Sequence, residues 1–477
     1  MAEQLICQRC RKEPATVVSR KERFSNDCFR KFVSQKQRKQ MMSDPYFQDI
    51  FKVMYQDRFR TSKEADLQNM QSTVLVPLSF GSSSLVMLDV LNDTLTEQKT
   101  TQRGKTGFQV DLIICYQTTE EKEAFKELAH NIINTRYASN KEKFKFHLID
   151  LDSFFSSSKD CLRVVALDAR GATAIKANYS VEPSNSYNLK DLLNQCTDRT
   201  TREDILSFIR RHLIKKFASQ HEQRAIMWGH SMTKLADETI SLIVKGRGSE
   251  IAASMDCSKF DEDYNSSFKN LFPMKDILLS EIDAFCLVAK LDEFLYDYKP
   301  QDTLLIQKVQ IINDTKYSTL VKNMTVNEIA RKYFDDIEGD YSNVISTVVK
   351  TANKLAEPQS LLIEKERSKK CVLCFSNIYT NGFKWLSDIT INEGVPIEDD
   401  AEREIFNEWK NSTIGNKTEG YNRATELVTA HSCDVPVCYG CIIIFNRIKE
   451  RRLTWPTKSK SELEGVLDEC VLTDDES

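Results

Sequence analysis

Two close cysteine pairs, Cys371-Val372-Leu373-Cys374 and Cys438-Tyr439-Gly440-Cys441, are spaced for metal chemistry. Each pair can present two thiolates to one ion from a tight knuckle, and two knuckles complete a tetrahedral Zn²⁺ site. Four thiolates leave no open position, so the zinc expected here is structural and not catalytic. The 63 residues between the pairs exceed a simple ribbon, and an insertion over 378–430 has to loop out. A redox role is the competitor, but two pairs in one block favour zinc. A second set opens the chain: Cys7-Gln8-Arg9-Cys10, then Ser25-Asn26-Asp27-Cys28. Cys7, Cys10 and Cys28 would need a fourth ligand, for which Cys433 and His431 are donors of the right type. A knuckle that has lost its metal and persists by packing is the alternative.

A third feature suits phosphate. The apolar run Val74-Leu75-Val76-Pro77-Leu78 breaks into Ser79-Phe80-Gly81-Ser82-Ser83-Ser84 and resumes as Leu85-Val86-Met87-Leu88. A strand, a small hydroxyl-rich loop and a helix N-terminus together aim backbone N–H groups at one spot. Gly81 is expected to hold a glycine-type backbone that a branched residue would disturb. Basic residues form two runs. Residues 1–40 hold eleven Lys or Arg against four acids, whereas Ser461 to Ser477 holds seven acids and no base. Arg9, Arg11 and Lys12 in the head, with no aromatic cluster expected beside them, suit the phosphates of a polyanion. Arg210, Arg211, Lys215 and Lys216 form the second run, on a helical pattern whose apolar positions are Ile205, Phe208, Ile209 and Leu213. For either run a solvated charged face is the plain alternative. His230 reads more readily as a hydrogen-bonded structural residue than as a functional one. Lys245 and Arg247, beside Gly246 and Gly248, suit a turn that reaches a phosphate or a simple surface loop.

The elements that must position these residues follow from periodicity. Short β-branched runs at Thr73–Leu78, Val110–Tyr116, Phe144–Leu151, Arg163–Leu167 and Arg224–Trp228 alternate with helical patterns, the signature of an α/β layer fold. One helix starts at Thr119, read as its cap, and carries an apolar stripe of Ala124, Phe125, Leu128, Ala129, Ile132 and Ile133. The organisation expected is a basic Cys-rich segment at 1–45 and an α/β domain at 70–300. A mainly helical extension at 301–365, a Cys-pair module at 366–445 and an acidic tail at 456–477 follow. With 477 residues, 41% hydrophobic and 29% charged, the chain reads as a soluble protein of two or three domains. No apolar run approaches the ~20 residues of a membrane span, and no signal-peptide order is seen. Fourteen Cys in such a chain point to reduced thiols in the cytosol.

The loop resembles the Ser-Gly-Gly-x-Asp-Ser loop of the ATP-pyrophosphatase (PP-loop) family, with Phe80 in place of the first Gly and Ser83 in place of the Asp. Phe is expected to be a poor substitute for a Gly that needs positive φ. Head, altered loop and terminal Cys pair together resemble one family, the second subunit of the cytoplasmic tRNA 2-thiolation complex. Thr201 to Lys216, Trp228-Gly229-His230-Ser231, Lys245-Gly246-Arg247-Gly248, Phe272-Pro273-Met274-Lys275-Asp276 and Val348 to Leu355 follow in the family's order. The resemblance implies a PP-loop fold, a parallel sheet flanked by helices, with zinc-knuckle segments near both ends. In the catalytic relatives a Cys-x-x-Cys-Gly stands before the Arg pair matching Arg210 and Arg211; here Glu203 and Leu206 occupy the thiol positions. Their further catalytic Cys has no counterpart between Ala289 and Gln301, and Cys286 reads as core.

What the resemblance implies is a non-catalytic, tRNA-binding subunit. It would pair with a catalytic PP-loop thiolase that carries the ATP and the iron–sulfur cluster. The pair would replace the 2-oxygen of a wobble uridine with sulfur from the thiocarboxylate of a ubiquitin-like modifier. Ser79, Gly81, Ser82, Ser83 and Ser84 would then be a nucleotide-loop remnant. Two rivals stand beside this reading: an adenylating thiolase in its own right, and a zinc-based adaptor or ubiquitin ligase. The adaptor leaves an α/β core unexplained and lacks interleaved Cys/His order.

Overall fold

In the computed structural model, residues 5–55, 61–156, 162–167, 172–176, 187–264, 267–308, 323–356, 370–379, 382, 399–417 and 433–456 are described. The chain divides into two units. The first takes Met1–Leu151, Ile209–Val244 and Ile251–Ala356; the second takes Asp152–Phe208, Lys245–Glu250 and Glu357–Ser477.

The first unit opens with a hairpin, β1 (Val17–Ser19) and β2 (Glu22–Phe24), that leads into α1 (Asn26–Met41). Its centre is a five-stranded parallel sheet of β3 (Thr73–Pro77), β4 (Gln109–Tyr116), β5 (Phe144–Asp150), β8 (Ala225–Met227) and β9 (Lys269–Leu271), in the order β5-β4-β3-β8-β9. β3 and β4 read as nearly unbroken apolar runs because both their faces are covered. Val74, Val76, Val110, Leu112 and Ile114 share a core with Leu85 and Leu88 of α2 (Ser82–Thr101) and with Phe125, Ala129 and Ile132 of α3 (Thr119–Thr135). Leu75, Ile113 and Ile226 alternate with them and pack on Ile214, Phe217 and Ala218 of α4 (Arg199–Gln220). The cap of α3 is Thr118, not Thr119: Thr118 is extended (φ −126, ψ 160) and its side chain accepts the Glu121 N–H.

A satellite core joins α5 (Met232–Val244) to α7 (Val326–Ala352), through Leu235, Ala236, Phe334, Ile345 and Val349. Between them in sequence, α6 (Leu279–Val288) lays Ile282, Ala284 and Phe285 into the main core. Thr325 and Glu328 close a capping box that fixes where α7 begins.

In the second unit, β6 (Leu162–Leu167), β7 (Ala172–Lys176), β10 (Cys433–Asp434) and β11 (Arg452–Pro456) form an antiparallel sheet in the order β10-β7-β6-β11. The strand expected at Arg163–Leu167 therefore forms, but outside the parallel layer. Its burial alternates residue by residue, the mark of an antiparallel strand with one covered face. Val165 lies opposite Leu453, and Trp455 is fully buried. α8 (Asp400–Asn411) buries none of its residues, and α9 (Tyr439–Phe445) carries the last Cys pair. Among the described residues no helix is long and apolar enough to cross a membrane.

Candidate metal centres and the altered phosphate loop

In the second unit the ligand atoms of Cys371, Cys374, Cys438 and Cys441 all lie within 4.8 Å of one another. Sulfurs ~2.3 Å from a tetrahedral zinc stand about 3.8 Å apart. The Sγ atoms of Cys374 and Cys438 are 3.6 Å apart, so the donor set fits that ion. Local backbone makes the convergence. After Cys374 the chain turns back through Phe375 at φ +62, and the Cys371 N–H donates to the Ser376 carbonyl. Cys438 caps α9, and its N–H points at Cys371 Sγ at 3.4 Å. Cys371 and Cys441 are fully buried.

In the first unit the ligand atoms of Cys7, Cys10 and Cys28 also cluster within 4.8 Å. Ser25 Oγ lies 3.8 Å from Cys10 Sγ, where a fourth thiol would stand in a complete set. Burial works against ionising Cys7, but backbone N–H groups of Cys10, Ser25 and Arg9 win and bring it down to about 6. Backbone N–H groups of Lys12 and Glu13 lower Cys10 as well. Cys28 goes the other way: Ser25 favours its thiolate, yet burial and the two neighbouring thiols raise it. The described cluster holds three ligands; Cys433 pairs by backbone with Ala174 in β7, and His431 lies outside the described residues.

The loop after β3 departs from expectation at two residues. Phe80 does take positive φ, +52. Burial explains why a bulky residue tolerates it: the ring is fully enclosed and stacks on Phe125 at 5.5 Å, and the Phe80 carbonyl accepts the Tyr296 N–H. Gly81 is not the strained position. It sits at φ −90 and ψ 162, and an added Cβ would meet only Ser79 Oγ at 3.6 Å. The hydroxyls are largely spoken for. Ser82 Oγ donates to Asp283 Oδ1 at 2.7 Å in a buried link from α2 to α6, and Tyr298 holds the other oxygen. Ser84 Oγ donates to the Gly81 carbonyl and lies 3.4 Å from Ser79 Oγ; Ser79 is exposed and Ser83 half-buried.

The basic runs are partly consumed by internal pairs. Arg20 and Lys36 both reach Glu281, which is fully buried; Arg30 pairs with Asp93, and Arg38 with Glu97. Arg9 lies 3.6 Å from Glu22 and 5.1 and 5.0 Å over the rings of Phe24 and Phe32. An aromatic cluster of Phe24, Phe29 and Phe32 thus sits beside the head, contrary to expectation, because β2 and α1 fold onto each other. Arg11 and Lys12 are exposed, as is Lys21. On α4, Arg211 pairs with Glu238 and Lys215 with Asp261 at 2.7 Å. Lys216 is half-buried, and Arg210 is exposed. Glu203 and Leu206, which the resemblance sets at the thiol positions, both lie on this helix, half-buried.

His230 lies against Trp228 and Phe272, its Nδ1 3.7 Å from Glu238, and burial lowers its pKa to about 4. Neither Lys245 nor Arg247 presents a free charge to a phosphate: Lys245 pairs with Asp204 at 2.6 Å, and Arg247 Nη2 donates to Cys441 Sγ at 3.1 Å. Arg247 is the residue at the four-cysteine cluster that spacing alone did not identify; its signal was the pair of glycines around it. Burial pushes Cys115 and Cys196 up to about 11 and Cys286 up to about 12, so these thiols stay protonated at neutral pH.

The family profile described as Cytoplasmic tRNA 2-thiolation protein 2 matches residues 325–443. A protein of that name from Vanderwaltozyma polyspora is 50% identical, covering 99% of this chain and 98% of its own. Another from Saccharomyces cerevisiae (strain ATCC 204508 / S288c) is 39% identical, covering 98% of this chain and 99% of its own. Among solved structures, the U34-tRNA thiolase NcsA from Methanococcus maripaludis with its 4Fe-4S cluster aligns at TM-score 0.46 and 14% identity, over 82% of this chain and 99% of that one. Identity at this level over the full length of the relatives means that the chain belongs to the family of cytoplasmic tRNA 2-thiolation protein 2.

Proposed function

We propose that this chain is the non-catalytic, tRNA-binding subunit of a cytoplasmic heterodimer that 2-thiolates the wobble uridine of tRNA. The catalytic PP-loop partner supplies the ATP site and the iron–sulfur cluster, and a ubiquitin-like modifier thiocarboxylate supplies the sulfur. The observation that supports the non-catalytic assignment is on α4: Glu203 and Leu206, where the resemblance expects thiols ahead of Arg210 and Arg211, are half-buried, and neither can act as a thiolate. Among the described thiols, burial raises Cys115, Cys196, Cys257 and Cys286; Cys7 and Cys10, which are lowered, belong to the three-cysteine cluster. Zinc in the four-cysteine cluster would be structural: Cys371, Cys374, Cys438 and Cys441 would hold it and lock two distant chain segments together.

The loop supports the same reading, since Ser82 is committed to Asp283. The test is ATP–pyrophosphate isotope exchange with tRNA by the purified chain, alone and with a PP-loop thiolase that co-purifies with it. Exchange is expected only with the partner. Exchange by the chain alone, lost in Ser84→Ala with the fold intact, would establish the rival reading of an adenylating enzyme.

A further inference from the structure

Arg247 is 2% exposed, a rare environment for a guanidinium. Its Nη2 donates to Cys441 Sγ at 3.1 Å, Nη1 faces Glu250 at 3.3 Å, and the guanidinium carbon lies 4.5 Å over the Phe208 ring. Two glycines allow the close packing around it. A Cβ on Gly440 would fall 2.4 Å from Arg247 Cγ, and one on Gly246, at φ +70, would fall 2.6 Å from the Tyr439 ring. The strips Lys245-Gly246-Arg247-Gly248 and Cys438-Tyr439-Gly440-Cys441 therefore interlock residue for residue. Glu250 extends the arrangement to the other knuckle, since it accepts a hydrogen bond from Ser376 at 3.3 Å and lies 3.9 Å from Cys374 Sγ.

Four thiolates around Zn²⁺ leave an excess of two negative charges, and buried charge is tolerated only when it is paired. We propose that Arg247 is the outer-sphere partner of the four-cysteine centre. It donates to the Cys441 sulfur, offsets part of the excess charge, and withdraws electron density from that one sulfur, so that Cys441 is the ligand least open to electrophiles. This rests on the zinc reading above. Arg247 is a positioning residue in this scheme; it does not ligate.

The experiment uses the full chain, wild type, Arg247→Met and Arg247→Lys. It measures zinc content, the rate of zinc transfer to a chromophoric chelator, and iodoacetamide labelling of each cysteine by peptide mass spectrometry. Outer-shell partners of metal ligands typically contribute 10–100-fold to affinity. Arg247→Met is therefore expected to lose zinc on the order of tenfold faster, with labelling of Cys441 rising several-fold relative to Cys371. Arg247→Lys, which keeps the charge but cannot span Cys441 and Glu250 together, is expected to fall between. Equal zinc-transfer rates in all three proteins would overturn the proposal, as would labelling that rises equally at all four cysteines. If Arg247→Met does not fold, Arg247→Lys decides alone, by whether its transfer rate exceeds that of wild type. A wild-type chain without zinc would overturn the metal reading itself; zinc in wild type with unchanged variants would overturn the role of Arg247 only.

Discussion

At Phe80 a large side chain holds a backbone conformation that suits glycine, so two opposing energies meet at one residue. Positive φ costs a non-glycine residue about 1–2 kcal/mol, whereas removing a buried Phe ring costs about 3–5 kcal/mol. Burial should win. Phe80→Gly is expected to lower stability by roughly 2–3 kcal/mol in urea titrations, despite restoring the residue type of the PP-loop family. Two histidines make a second residue-scale prediction. Burial lowers His230 and His212 from 6.5 to about 4, with Lys216 and Lys215 also acting on His212. Above pH 6.5 both are neutral whether folded or unfolded and contribute nothing. As pH falls from 6.5 toward 4 the unfolded chain takes up the proton first, so stability is lost. The slope approaches about 1.4 kcal/mol per pH unit for each histidine. Asp283 and Asp237, which burial raises, oppose this at the acid end, because the folded chain protonates them first. The contribution is therefore read as a difference: His230→Gln should lose less stability than wild type between pH 7 and pH 5.

At the scale of elements, the α/β core was largely legible and the charge pattern was not. β3, β4, β5 and α3 announce themselves through local periodicity, which acts over a few residues. What Arg20 and Lys36 do depends on Glu281, more than 240 residues away, and no local pattern reveals such a pairing. The same holds for the strand at Leu162–Leu167, one of whose two partners, β11, lies roughly 285 residues further along the chain. The candidate metal sites divide on this line too: the thiol spacing was visible, and the guanidinium beside it was not. Under the proposed function, the exposed basic residues are the ones left for RNA. Reversing the exposed Arg11, Lys12 and Lys21 should weaken tRNA binding and flatten its salt dependence, by about 0.7–0.9 in slope for each phosphate no longer neutralised. Reversing Arg9 should instead lower stability, since its guanidinium lies over the rings of Phe24 and Phe32. On α4 the contrast is Arg210 against Lys215. Arg210→Glu should reduce affinity and leave the unfolding midpoint unchanged, whereas Lys215→Ala should lower the midpoint by stranding Asp261.

For the whole molecule, the four-cysteine cluster closes a loop between segments of the second unit that lie far apart in sequence. Structural zinc supplies ~10 kcal/mol or more to small modules. Cys438→Ser, or a strong chelator under reducing conditions, is therefore expected to expose 370–379 and 433–456 to protease while β3 to β5 stay protected. Equal protection of both units without metal would show that packing alone holds the cluster. The antiparallel sheet of that unit also carries a consequence for how the protein is made. From Leu167 to Arg452 the chain runs on for roughly 285 residues, which a ribosome adding ~5–20 residues per second needs about 15–60 s to synthesise. Throughout that interval one edge of β6 is a bare row of backbone donors and acceptors, open to any strand that meets it. A nascent chain in this state is a client for chaperones, and slow codons downstream of residue 167 lengthen its exposure. A premature stop anywhere before Arg452 removes more than a terminus: it leaves that edge without its partner for the lifetime of the polypeptide.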